Sequence, residues 1–180
     1  RLFAVSLIIP KKIKKGCFFM SKITIADFYY GAALSALFND STKKISAALI
    51  ESDDNRQLYH LTTDSNECRL FIKYRSARIE TKTEDYNSWL FNLTERDKNE
   101  INSIINEGYN LVLALVCGVA GLSESELALL DKEQIKKIID FGKDSITISR
   151  KKHEKAYRIA VGGSRGNAMK VAFNRFEELF

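Results

Sequence analysis

The stretch YNLVLALVCG, residues 109–118, decides the fold. Leu111 through Cys117 are apolar without a break, and Gly108 and Gly118 stand on either side. An alternating strand would show one face to water, and an amphipathic helix would show a polar stripe. This run shows neither. It reads as a short strand buried on both faces, inside a sheet whose two sides are covered.

Upstream of it, Thr94 with Asp97 makes a capping box for a helix, with Asp in place of the usual Glu. Ile101, Ile104 and Ile105 form that helix's apolar stripe, and Gly108 stops it. Before the helix come SWLFNL (88–93) and three earlier strand candidates: ISAALIE (45–51), RQLYHLT (56–62) and CRLFIKYR (68–75). The turn clusters SDDN and TDSN join those three into a meander of hairpins. The first helix starts at Thr24, boxed with Asp27, and presents Phe28, Tyr29, Ala32, Ala33, Ala36 and Leu37.

Downstream, ELALL (126–130) reads as a neighbouring strand. Asp131 and Gln134 open a helix that runs through Asp140 and closes at Gly142. SITISR (145–150) and AYRIAV (156–161) form a hairpin across KKHEK. Beyond Gly162, the stripe Met169, Phe173, Phe176 and Phe180 predicts a helix to the C-terminus. The expected class is α+β, or α/β with a mixed sheet, in a single domain over residues 20–180.

Residues 1–19 read as a leader outside that domain. Lys15-Gly16 can be encoded by a purine-rich tract just ahead of Met20. The apolar RLFAVSLIIP precedes KKIKK, the reverse of a secretory signal. No apolar run approaches a membrane span.

The 180 residues are 45% hydrophobic and 28% charged, with a net charge of +5. A basic excess of this size favours a polyanion over an acidic-substrate enzyme. Cys17, Cys68 and Cys117 are odd in number and widely spaced. That argues against a disulfide framework or a zinc site, and for a reducing cytoplasm.

The helix–strand–strand–strand–helix–strand order over residues 24–117 is similar to the core of the restriction-endonuclease-like, PD-(D/E)xK, nucleases. The resemblance implies an Asp near the end of the second strand, and an acid and a Lys spaced (D/E)-x-K on the third. Those acids would hold Mg²⁺, and the Lys would orient the attacking water. Asp64 stands where the first Asp and metal ligand is expected, and Lys73 where the Lys is expected. The acidic position is taken by Phe71, so the signature is incomplete. Mg²⁺ is expected only if the chain is a nuclease, and no other cofactor is.

The third strand carries a second feature. Arg69, Phe71, Lys73 and Arg75 alternate with Leu70, Ile72 and Tyr74. The cations are either a solvated sheet face or a phosphate-binding surface with Phe71 for stacking. GGSRGNAMK (162–170) is either a strand-to-helix turn or an anion site using Arg165 and Lys170. His60 has no visible catalytic partner. Two function classes follow. One is nucleic-acid association through Arg69, Lys73 and Arg75, with Arg165 and Lys170. The other is a non-catalytic protein-interaction module that docks through the Phe-rich C-terminal helix. Nothing in the sequence fixes the oligomeric state.

Overall fold

A computed structural model describes residues 22–53, 55–79, 85–162 and 165–180, leaving out the side chains of Asp40, Arg165 and Glu177. The proposed leader therefore lies outside the described residues. The chain runs α1 (Ile25–Asp40), β1 (Ile45–Asp53), β2 (Arg56–Thr63), β3 (Glu67–Arg75), β4 (Tyr86–Asn92), α2 (Glu95–Asn106) and β5 (Leu111–Cys117). It continues with β6 (Glu126–Leu130), α3 (Lys132–Asp140), β7 (Ser145–Lys151), β8 (Ala156–Ile159), β9 (Met169–Ala172) and α4 (Phe176–Leu179). The α+β class stands.

All three capping boxes form. Thr24, Thr94 and Asp131 each accept from the backbone N–H of Asp27, Asp97 and Gln134, whose side chains reach back to the cap. Each box satisfies two donors that the first helical turn leaves orphaned.

The strands make two sheets rather than one. The larger is mixed, in the order β1-β2-β3-β5-β6, and the smaller is antiparallel, in the order β4-β7-β8-β9. β3 and β5 run parallel, with Leu70 opposite Val112 and Ile72 opposite Ala114. Parallel neighbours need a crossover, and here β4 and α2 supply it.

The apolar run of β5 is buried along its whole length, as its sequence requires. One face of the larger sheet packs Leu70, Ile72, Val112, Ala114 and Val116 on Tyr29, Tyr30, Ala33 and Leu37 of α1. The other packs Phe71, Leu113, Leu115 and Cys117 on Trp89, Phe91, Ile146, Ile148 and Tyr157 of the smaller sheet, and on Ile101 and Ile135 of α2 and α3.

The C-terminal helix is shorter than the stripe predicts. Residues 169–172 pair as β9 with β8, setting Val171 opposite Tyr157, and only Phe176–Leu179 is helical. Phe176 and Phe180 are buried against the α1 face. Of the expected stripe, Phe176 and Phe180 are thus taken up inside this chain, whereas Phe173 is exposed. No helix among the described residues is long and apolar enough to cross a membrane.

Candidate functional site

At the C-terminal end of β3 a charged cluster lies between the larger sheet and the N-terminus of α2. Arg56 opens β2 and lies one step beyond the Gln57–Ile72 pair, which sets it beside Lys73. Both side chains are buried, Arg56 at 2% exposure and Lys73 at 5%. Charges this deep persist only when paired.

Asp97 supplies the pairing. Its Oδ2 accepts from Lys73 Nζ at 2.7 Å, and its Oδ1 accepts from Arg56 Nη1 at 3.1 Å. The same carboxylate caps α2, accepting the Thr94 N–H at 2.8 Å. Burial pushes the Asp97 pKa up. The hydrogen bonds from Lys73 and from the Thr94 backbone outweigh that and leave it below the ordinary value.

Three more carboxylates surround Arg56. Glu51 Oε1 accepts from Nη2 at 2.8 Å, Asp53 Oδ2 lies 3.3 Å from Nε, and Glu100 Oε2 also meets Nη2. Arg96 reaches Glu51 from the outside, and its Nη1 lies 3.6 Å from Asp53. Beneath, the Arg56 guanidinium carbon sits 5.3 Å from the centre of the Phe71 ring. Burial raises the Glu100 pKa, opposed by Arg56 and reinforced by the neighbouring Glu51. The Arg56 hydrogen bond lowers that of Glu51.

A cleft of about 310 Å³ opens onto this cluster, lined by Asp53, Asn55, Lys73, Thr94, Arg96 and Asp97. The space between these carboxylates is filled by the chain's own guanidinium. Phe71, at the position where the nuclease signature has an acid, is the aromatic floor under that guanidinium. Among the described residues, no group of three or more His, Cys, Asp and Glu side chains is placed to hold a metal ion.

Asp64 lies elsewhere. It is exposed in the β2–β3 turn, at the far end of β3 from Lys73. Glu67 and Lys73 alone are separated by about 20 Å of extended strand. The structure does not bring Asp64 and Lys73 together.

The cations of β3 separate as well. Arg69 stacks over the Tyr109 ring at 4.1 Å and touches His60. Arg75 is exposed and donates through Nε to the Leu90 carbonyl, at the edge of β4. Lys73 is buried and paired with Asp97, and so is not a cation of an open, solvated face. The strand is covered on both faces, and only its ends reach solvent. Arg165 has its backbone in a short 3₁₀ turn (Arg165–Asn167), and its side chain lies outside the described residues. Lys170 is exposed on β9.

Lys170 belongs to a second arrangement, on the open face of the smaller sheet. Ser88, Ser149, Arg158 and Lys170 are successive cross-strand partners on β4, β7, β8 and β9. They form a row across the sheet with neighbouring backbones about 5 Å apart. Thr147 and Lys151 lie on the same face by the period-two rule. Glu154 pairs with Arg158 at 2.5 and 3.2 Å and fixes its orientation, while Lys151 and Lys170 stand exposed beside it. Sequence reading alone missed this row because three of its members were assigned to separate elements and Lys170 to a helix.

Asp97, Arg56 and Glu100 also escaped the sequence reading. Arg56 sits between an acidic turn and an apolar strand, where a surface position is the default expectation. Asp97 was read as a cap, which it is, and the cap concealed its second role. The chain matches no known family model, curated protein or solved structure.

Proposed function

We propose that this chain is a non-catalytic nucleic-acid-binding module that meets phosphate on the open face of its smaller sheet. The Ser88–Ser149–Arg158–Lys170 row carries the reading. It sets Lys170, Arg158 in its pair with Glu154, and two hydroxyl-bearing side chains in line, on the outward face of the described sheet, which Leu90 shares. Phosphate oxygens take both kinds of donor, and cations that neutralise phosphates supply the affinity. The net charge of +5 points the same way.

The element order α1, β1, β2, β3, α2, β5, with β4 between β3 and α2, is compatible with the nuclease-like order expected of the sequence. What the cluster at Lys73 favours is a related scaffold without metal-assisted cutting. Its carboxylates are already bound to Arg56, Lys73 and Arg96, whereas Mg²⁺ needs oxygens free to reach it. In this reading Lys73 is structural, and Asp64 is a surface residue.

The test is fluorescence anisotropy with labelled single-stranded DNA, duplex DNA and RNA across a salt series. Binding should weaken steeply with salt. An Arg158→Ala/Lys170→Ala variant should lower the magnitude of the log–log salt slope by about 1.4–1.8, as expected for two lost contacts. No binding to any of the three at low salt, or an unchanged slope in the variant, would overturn the reading. Cleavage that requires Mg²⁺ would restore a catalytic role.

A further inference from the structure

The edge of the larger sheet points to a partner, independently of the phosphate face. β1 pairs only with β2, so its outer backbone edge is open in the described structure. Natural edge strands are usually guarded by charge, proline or early bulging. From Ile45 to Ile50 the sequence is ISAALI, with neither charge nor proline. Ser46, Ala47, Ala48, Leu49 and Ile50 are all exposed, Leu49 and Ile50 at 54% and 50%. The one irregularity in its pairing with β2 falls between Leu49 and Glu51, at the very end of that segment, and turns Glu51 to the face opposite Leu49.

Charge sets the direction of pairing. Lys43 and Lys44 stand just before the flat segment, and ESDDN (51–55) follows it. A parallel copy would place like charges together at each end. An antiparallel copy places the lysines of each chain beside the acids of the other. Such an edge is self-complementary about a two-fold axis, as an isologous interface must be.

We infer that β1 pairs antiparallel with β1 of a second copy of this chain, centred near Ala47, joining the two larger sheets into one. The lysine end of each β1 then approaches the acidic end of the other, beyond the irregularity at Ile50. Leu49 lies opposite Ile45, on the face that carries Tyr59. The small Ala47 and Ala48 let the two strands approach without obstruction, and main-chain hydrogen bonds supply the contact.

The test is sedimentation velocity of the full chain over a micromolar concentration series. A dimer is expected, weakened by salt. A Lys43→Glu/Lys44→Glu variant should dissociate at least about tenfold more readily, because it brings like charges to the acidic end of the partner strand. Ala47→Lys with Leu49→Lys should be monomeric with an unchanged circular dichroism spectrum, since both side chains are exposed in the single chain. Hydrogen exchange should show β1 amides protected in the dimer and released in that variant. A monomer at every concentration would overturn the inference. So would a dimer that survives the two lysine substitutions, since another surface would then hold it. Nucleic-acid binding is read separately and can fail while the dimer stands.

Discussion

Lys73 Nζ and the Asp97 carboxylate meet at 2.7 Å in the interior, one from the middle strand of the larger sheet and the other from the first turn of α2. The contact ties a helix N-terminus to the strand it crosses. It also determines which substitutions the protein tolerates.

Asp97→Asn should be costly. It leaves Lys73 and part of Arg56 buried without their shared counter-charge, a loss on the order of 3–5 kcal/mol. Replacing Lys73 by Met and Asp97 by Asn together should cost less than the sum of the two single changes, because the double variant strands neither member of the Lys73–Asp97 pair. Urea unfolding of the four proteins checks this; strict additivity would argue that the two groups act separately.

The pH dependence of stability should carry two opposing contributions. Asp97 titrates below its ordinary 3.8 in the folded chain, so the unfolded chain binds the proton more tightly. Its stabilisation is full above that ordinary value and is lost as pH falls through the folded one. Glu100 is raised above its ordinary 4.5, so its contribution is full below 4.5 and is lost as pH rises through the folded value. Unfolding midpoints measured across the acid range should show a flatter acid limb for Asp97→Asn. Glu100→Gln should flatten the decline on the approach to neutrality.

Gly118→Ala should destabilise although the position is buried and apolar in its surroundings. A Cβ there would stand 2.4 Å from the Arg75 carbonyl oxygen and 2.6 Å from Tyr29 Cε1. Gly118 N–H donates to that same carbonyl at 2.6 Å, and Trp89 Nε1 donates to the Gly118 carbonyl at 2.8 Å. The strand end is held on both sides and cannot retreat. A loss of about 1–3 kcal/mol is expected, read as a lower melting temperature.

Cys68 and Cys117 should resist thiol reagents in the folded protein. Burial pushes the Cys68 thiol up to about 12 and raises Cys117 as well. The thiolate is the reactive form. Mass spectrometry after alkylation should find both unmodified until denaturant is added.

Much of the architecture was legible in local signals. The β5 run announced burial on both faces, and three capping boxes marked three helix starts to the residue. The last segment misled because Met169, Phe173, Phe176 and Phe180 fit a helical period, while Met169 and Val171 also fit a strand. Pairing with Tyr157 and Ile159 on β8 resolved the ambiguity, and that contact is tertiary. The division into two sheets was hidden for a similar reason. Nothing local to SWLFNL says that its partner is SITISR, on the far side of α2, β5, β6 and α3. Lys73 could not be placed as buried without Asp97, a residue 24 positions away.

The crossover between β3 and β5 has a consequence for how the chain folds. β4 leaves the larger sheet to join the smaller one, and α2 then returns the chain to the larger. Its partner β7 is made only after β5, β6 and α3. Neither sheet can be completed before the other has begun. Trp89 and Phe91, buried between the sheets, pack on the larger sheet but have no neighbouring strand until β7 arrives. Nonlocal pairings of this kind slow the search for the native state. The two sheets should therefore unfold as one cooperative unit, and a nascent chain that ends before β7 would expose an aromatic surface to chaperones.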